Sequence, residues 1–186
     1  MSTHSPARSG ARRARLAAPL VAAAVALASL GACHPDLDRA AYDHHVYDRP
    51  LPAFVAWWLA EHAAATGRSP AAVRRDFDRR LAALDDPRAA NGRWDLSTDG
   101  CSSAPDTGPS FDFRAACVRH DFAWRNLKRL DRRWGVGRFD TRAARLRANG
   151  RFHADLLTDC ARRSGPAAST CRGAAALYKA AVDLAA

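Results

Sequence analysis

The chain has 186 residues, 48% of them hydrophobic, with 29 basic side chains against 19 acidic ones and a formal net charge of +10. That length accommodates one domain with a core of its own, and the mean hydropathy of −0.33 reflects arginine rather than a shortage of apolar residues, since Lys128 and Lys179 are the only lysines. The basic residues are spread along the chain and no recognisable binding module occurs, so nucleic-acid binding is not expected.

The chain opens with Arg8, Arg12, Arg13 and Arg15, followed by an apolar run of 14 residues from Ala17 to Leu30 and then small residues. This is the layout of an export signal, and the run is too short to span a bilayer. It ends in "LGAC", Leu30 to Cys33, which resembles a bacterial lipobox. Residues 1–32 are therefore expected to be a lipoprotein-type signal, with Cys33 lipidated and anchoring an exported protein at the cell surface. An ordinary cleaved signal and free secretion form the alternative. Loss of the signal removes four arginines and leaves 25 basic against 19 acidic side chains, a net +6 that suits an anionic lipid surface.

Residues 33–52 read as a tether, with adjacent His44 and His45 solvated, because neighbouring side chains do not converge on a metal. N-terminal helices are expected over residues 53–90. "AFVAWWLAEHAAA" is the first, ended by Gly67, with Trp57 and Trp58 assigned to the core rather than to a membrane anchor. Ser69 caps a second helix with Pro70 in its first turn, running to about Leu84. The stretch from Asp85 to Ser110 is rich in Gly, Pro, Ser and Asp and must be loop; it offers carboxylates at Asp95, Asp99 and Asp106, the hard oxygens that calcium prefers.

Five cysteines are an awkward number for an exported protein. With Cys33 lipidated, Cys101, Cys117, Cys160 and Cys171 remain. Three connectivities are open; pairing sequence neighbours, Cys101 with Cys117 and Cys160 with Cys171, is the most economical. Phe113, Ala116, Cys117, His120, Trp124 and Leu127 share one stripe of a helix, so His120 faces inward or into a pocket. Asp121 lies about 100° further round. A Cys101–Cys117 bond would bring Asp99 beside the face that carries Asp121, leaving His120 for proton transfer and Asp121 for a cation. A later helix carries Leu146, Asn149, Phe152, His153, Leu156 and Cys160 on one stripe, with His153 a packed or partly exposed histidine. The last helix carries Cys171, Ala174, Ala175, Tyr178 and Val182. Little strand is expected beyond a short ribbon.

"STDGCSSAPD" followed by "FDFRAACVRHDFAWRN" resembles the secreted bacterial and fungal phospholipases A2, a small all-helical group with a CxRHDFxYRN signature. The resemblance runs from about Trp94 to Tyr178 and includes both cysteine intervals. It implies an all-α, disulfide-stapled domain over residues 91–186, with an antiparallel catalytic helix pair and a calcium-binding loop. Calcium would be held by Asp99, the Gly100 carbonyl and Asp121. His120 would act as general base on a water that attacks the sn-2 ester of a glycerophospholipid, releasing lysophospholipid and fatty acid. A phospholipid membrane surface is then the substrate, and no obligate protein partner is expected.

One position departs from the family pattern. Where the family carries an aspartate that holds the catalytic histidine, this chain has Asn149, which can accept a hydrogen bond but supplies no charge. A calcium-dependent membrane-binding lipoprotein with weak or no catalysis is therefore the alternative, and Asn149→Asp is expected to raise kcat.

Overall fold

The computed structural model describes residues 34–102 and 104–186; the expected signal segment and Cys33 lie outside them. Contacts divide the chain after Asp38, and residues 39–186 form one compact unit. The elements in order are α1 (Pro35–Asp43), a π-helical turn (His44–Asp48), α2 (Leu51–Thr66), α3 (Pro70–Arg79) and a 3-10 turn (Leu81–Leu84). The ribbon β1 (Thr107–Gly108) and β2 (Phe111–Asp112) follows a long loop, and then come α4 (Arg114–Trp134), α5 (Arg142–Cys160) and α6 (Gly165–Leu184). Among the described residues the protein is thus all-α apart from the ribbon, a small helical domain with two disulfides. No helix among the described residues is long and apolar enough to cross a membrane.

The segment expected to be a tether is instead helical as far as Asp48 and anchored. Tyr42 and Val46, four residues apart, are both fully buried. The Tyr42 hydroxyl donates to the Ala123 carbonyl at 3.3 Å, and Arg119 Nη1 donates to the Val46 carbonyl at 3.2 Å. His45 is not solvated either, because it stacks on Trp57 at 3.8 Å. Both anchors come from residues more than 70 positions away, which is why a short polar stretch read alone looked like linker.

α2 buries Phe54, Val55, Trp58 and His62 along one face and stops at Gly67, whose φ of +67° is the left-handed conformation that glycine adopts without penalty. The Ser69 side chain accepts from the Ala72 amide to cap α3, with Pro70 at its start. α3 ends at Arg79, five residues before the expected Leu84. Arg114 Nη1 donates to the carbonyls of Phe77 and Asp78, acceptors that further turns of helix would need. The 3-10 turn that follows aims Leu81 and Leu84 into the core.

α4 is the central rod, covered on most sides: Val118, Phe122, Ala123, Leu127 and Leu130 are all buried. Phe122 contacts Phe54, Trp57 and Trp94, so the aromatic core gathers where α2 crosses α4. The reversal into α5 is organised by Asp131, whose carboxylate accepts from the amides of Gly137, Arg138 and Phe139 at 2.8 Å each. Pairs such as His120 with Asn149 and Arg119 with Asp155 show α4 and α5 running antiparallel. Asn149 with Val182, and Cys160 with Cys171, show the same for α5 and α6. α5 passes unbroken through exposed Gly150.

Candidate active site

The Cys101–Cys117 disulfide, with Cα atoms 5.1 Å apart, ties the loop that follows Trp94 to the first turns of α4. Asn126 fastens the start of the same loop: its Oδ1 accepts from the Asp95 amide, and its Nδ2 donates to the Asp95 carbonyl, both at 2.8 Å. Between these fastenings Gly100 adopts φ +85°, and a Cβ there would meet Asp106 Oδ1 at 2.6 Å, so only glycine fits. Asp106 holds the turn by accepting from the Cys101 amide at 2.8 Å. Asp95 accepts from the amide and hydroxyl of Ser97. Of the three loop carboxylates, Asp95 and Asp106 are therefore structural, and Asp99 faces the cavity.

That cavity has a volume of about 680 Å³ and brings Asp99, Gly100, His120 and Asp121 together at one side. Phe152, Leu177, Ala181 and Val182 give it apolar walls. Asp121 is 8% exposed and its Oδ2 accepts from the Thr98 hydroxyl at 2.5 Å. Burial, with the negative charge of Asp99 acting in the same direction, pushes the Asp121 carboxyl up to about 7. Burial also works against ionised Asp99, but hydrogen bonds from Arg125 and Ser102 outweigh it and hold that carboxyl below its ordinary value. Arg125 Nη2 donates to Asp99 Oδ1 at 2.6 Å, and Nη1 donates to Ser97 Oγ at 2.8 Å. A buried, under-neutralised carboxylate beside a second one and a turned glycine backbone is a donor set of hard oxygens that fits calcium. The nearby trio of Cys101, Asp106 and Cys117 does not fit a metal, because both sulfurs are in the disulfide.

His120 Nε2 lies 2.9 Å from Asn149 Oδ1, and Trp124 Nε1 donates to the same oxygen at 3.0 Å. On its other side Asn149 Nδ2 donates to the Val182 carbonyl at 2.8 Å and to Asp183 Oδ1 at 3.0 Å. All four hydrogen bonds of a fully buried amide are made. The orientation is chemically forced: indole N–H is a donor only, and a backbone carbonyl is an acceptor only. Nε2 of His120 must then carry the proton, which leaves the lone pair on Nδ1. Burial lowers the His120 pKa, against the smaller opposing effect of the Asn149 hydrogen bond, and so favours the neutral imidazole.

A phospholipase family model, described as prokaryotic phospholipase A2, matches residues 74–186, more than half of the chain. The chain belongs to this family. It is also similar to two curated proteins named Secretory phospholipase A2. The one from Arthroderma benhamiae is 41% identical over 71 residues, covering 38% of this chain and 43% of the relative. The one from Beauveria bassiana is 34% identical over 90 residues, covering 48% of this chain and 43% of the relative. The match thus spans less than half the length of either relative.

Within the family frame, the structure brings Asp99, Gly100, His120 and Asp121 to one cavity and sets Asn149 behind His120. His153 is half-buried and not among the cavity-lining residues. Tyr178 lines the cavity and donates its hydroxyl to the Pro105 carbonyl at 2.5 Å, tying α6 to the loop. Two contributors were not anticipated, Thr98 and Asp183. Thr98 stands one residue before Asp99. Asp183 carried a weak signal of its own, a carboxylate at the end of a helix where the dipole disfavours it.

Proposed function

We propose that the protein is a calcium-dependent phospholipase A2 that hydrolyses the sn-2 ester of glycerophospholipids, with His120 as general base on water. The observation that carries this reading is His120, oriented by Asn149 and open to a cavity that is lined both by the carboxylates Asp99 and Asp121 and by apolar side chains. An amphiphile with an ester between a charged head and an acyl chain matches that division. Asp99, the Gly100 carbonyl and Asp121 would hold the calcium ion. When bound, the ion polarises the ester carbonyl and stabilises the oxyanion.

His120 Nδ1 accepts the water proton as the water adds to the carbonyl carbon, and returns it to the leaving glycerol oxygen as the ester C–O bond breaks. The bond from Nε2–H to Asn149 strengthens when the ring becomes charged. Arg125 holds Asp99 at the cavity edge, and Thr98 orients Asp121. The membrane-facing setting follows from the substrate. We further propose that Cys33 is the lipidated N-terminus of an exported form, which mass spectrometry of the membrane fraction would show as an acylated cysteine.

Fatty-acid release from phosphatidylcholine or phosphatidylglycerol vesicles, with calcium and then with chelator, tests the enzyme reading. Release that needs calcium and disappears in His120→Gln is expected. Calcium-dependent vesicle binding without release would instead support a membrane-binding role, which the uncharged Asn149 allows.

A further inference from the structure

We infer that Asp183 is a positioning residue for His120, supplying through the Asn149 amide the carboxylate that the family pattern would place at position 149 itself. The inference rests on the proposed hydrolase reading. The starting observation is a chain of hydrogen bonds across three helices: His120 on α4 to Asn149 Oδ1 on α5, and Asn149 Nδ2 to Asp183 Oδ1 on α6. Lys179, one turn before Asp183, pairs with the second carboxylate oxygen, Oδ2. Asp183 is the penultimate residue of α6, where unpaired carbonyls repel a carboxylate. A side chain kept against that local preference and aimed at a buried amide has a role beyond the helix.

The role follows from polarisation. A carboxylate that accepts from an amide N–H draws the proton toward itself and raises electron density on the amide oxygen. Asn149 Oδ1 then accepts more strongly from Nε2–H of His120, and most strongly when the ring is imidazolium. Asn149 thus transmits part of the stabilisation that it cannot supply by charge.

The same geometry changes the outcome expected for a carboxylate at position 149. In Asn149→Asp an oxygen would replace Nδ2, which now lies 2.8 Å from the Val182 carbonyl and 3.0 Å from Asp183 Oδ1. Three acceptors would meet with no donor among them. The gain from a carboxylate at 149 therefore requires removing the one at 183. In the exchanged chain, Asn149→Asp with Asp183→Asn, the new amide on α6 turns its NH₂ toward the new carboxylate on α5 and restores one of the two hydrogen bonds, while the Val182 carbonyl still faces an oxygen.

The test is a double-substitution cycle on the full chain, read by fatty-acid release from phosphatidylcholine vesicles, by thermal unfolding, and by the NMR resonance of the His120 Nε2 proton. Asn149→Asp and Asp183→Asn, the two single corners of the cycle, and Asp183→Ala are each expected to lower kcat, by up to about tenfold, with KM unchanged. The exchanged chain should recover kcat above the product of the two single effects, along with part of the unfolding temperature lost in Asn149→Asp. The Nε2 proton should move upfield in Asp183→Ala as its hydrogen bond weakens, a change that a merely structural helix-end residue would not produce. An exchanged chain no more active than the product of the two single effects overturns the inference. If the wild-type chain releases no fatty acid, the hydrolase reading fails by itself. The inference about Asp183 is then overturned by an Nε2 proton that does not move in Asp183→Ala and supported by one that does.

Discussion

Two polar junctions are buried between α4 and α5, and they start from adjacent residues, Arg119 and His120, that face different ways. At the Arg119 junction, Nε stands 3.4 Å from Asp155 Oδ2, Arg151 Nε stands 3.3 Å from Asp155 Oδ1, and Arg119 Nη1 reaches the Val46 carbonyl. Burial raises the Asp155 pKa and pulls that of Arg119 down to about 10. Arg119 Nε and Nη2 find no hydrogen-bond partner among the described residues. At the His120 junction no formal charge among the described residues is hydrogen-bonded to the imidazole, and every donor and acceptor of Asn149 is used. The charged junction is closed and secures the π-helical turn. The neutral one opens onto the cavity. Charge touches Arg119 directly, whereas at the His120 junction the Asp183 carboxylate is held one amide away from the ring to which the proposed reaction assigns a proton transfer.

The largest expected effect tests that division at its open end. His120→Gln keeps a comparable volume and a polar head but removes the proposed base, so kcat for vesicle hydrolysis should fall by about 10²- to 10⁴-fold. Thermal unfolding should stay close to the wild type, because one edge of the ring already faces the cavity. Equal losses of activity and stability would show that His120 is a core residue like its neighbour.

The closed junction should respond in the opposite way. Asp155→Ala leaves Arg119, 1% exposed, without its counter-charge and should cost about 3–5 kcal/mol in urea unfolding. Fatty-acid release per folded molecule should not change. A change in kcat without loss of stability would join the two junctions into one device.

How far each junction could be read from sequence follows from where its partners lie. The stripe that carries Asn149 is a local helical period, but the period places Asn149 only on an inward face; that it stands opposite His120 is what the resemblance to the phospholipase A2 pattern implies. The fastening of the loop by Cys101–Cys117 is also short-range, only 16 residues apart, and the neighbour pairing was the economical choice among three. Asp183 could not be found that way, since its part depends on α6 lying against α5 and on which end of an amide faces which helix. The anchored π-helical turn was missed for the same reason: Val46 is held by a guanidinium 73 residues on. Composition offers Asp95 and Asp106 as hard oxygens alongside Asp99, because it marks a carboxylate without showing which way it turns.

A third effect, of intermediate size, comes from the loop beside the open junction. The Asp121 carboxyl is raised by burial to about 7 in the folded chain against an ordinary 3.8, so the folded state binds the proton more tightly than the unfolded one. Stability with chelator present should therefore increase as pH falls from 8 to 5, by about 2–3 kcal/mol from this group, and be lost again as pH rises through 7. Saturating calcium should remove that gain, since a cation holds the carboxylate ionised. Asp121→Asn should flatten the pH dependence and abolish calcium binding by calorimetry. An unchanged calcium affinity in the variant would take Asp121 out of the site.

The smallest effect separates the two sets of partners that fix Asn149. Trp124→Phe keeps an aromatic ring near the cationic groups of Lys128 and Arg145, 5.9 and 5.1 Å from the indole, and removes the N–H that donates to Asn149 Oδ1 at 3.0 Å. The amide keeps its orientation, because Val182 and Asp183 still require the NH₂ on their side. One neutral hydrogen bond out of four is lost, worth about 1 kcal/mol, or about fivefold in kcat if all of it appears in the barrier. The ring of His120 should stay in the same tautomer, readable from its ¹⁵N shifts. A fall of a hundredfold with a mixed tautomer would mean that the indole on α4, and not the acceptors on α6, decides which way the amide points.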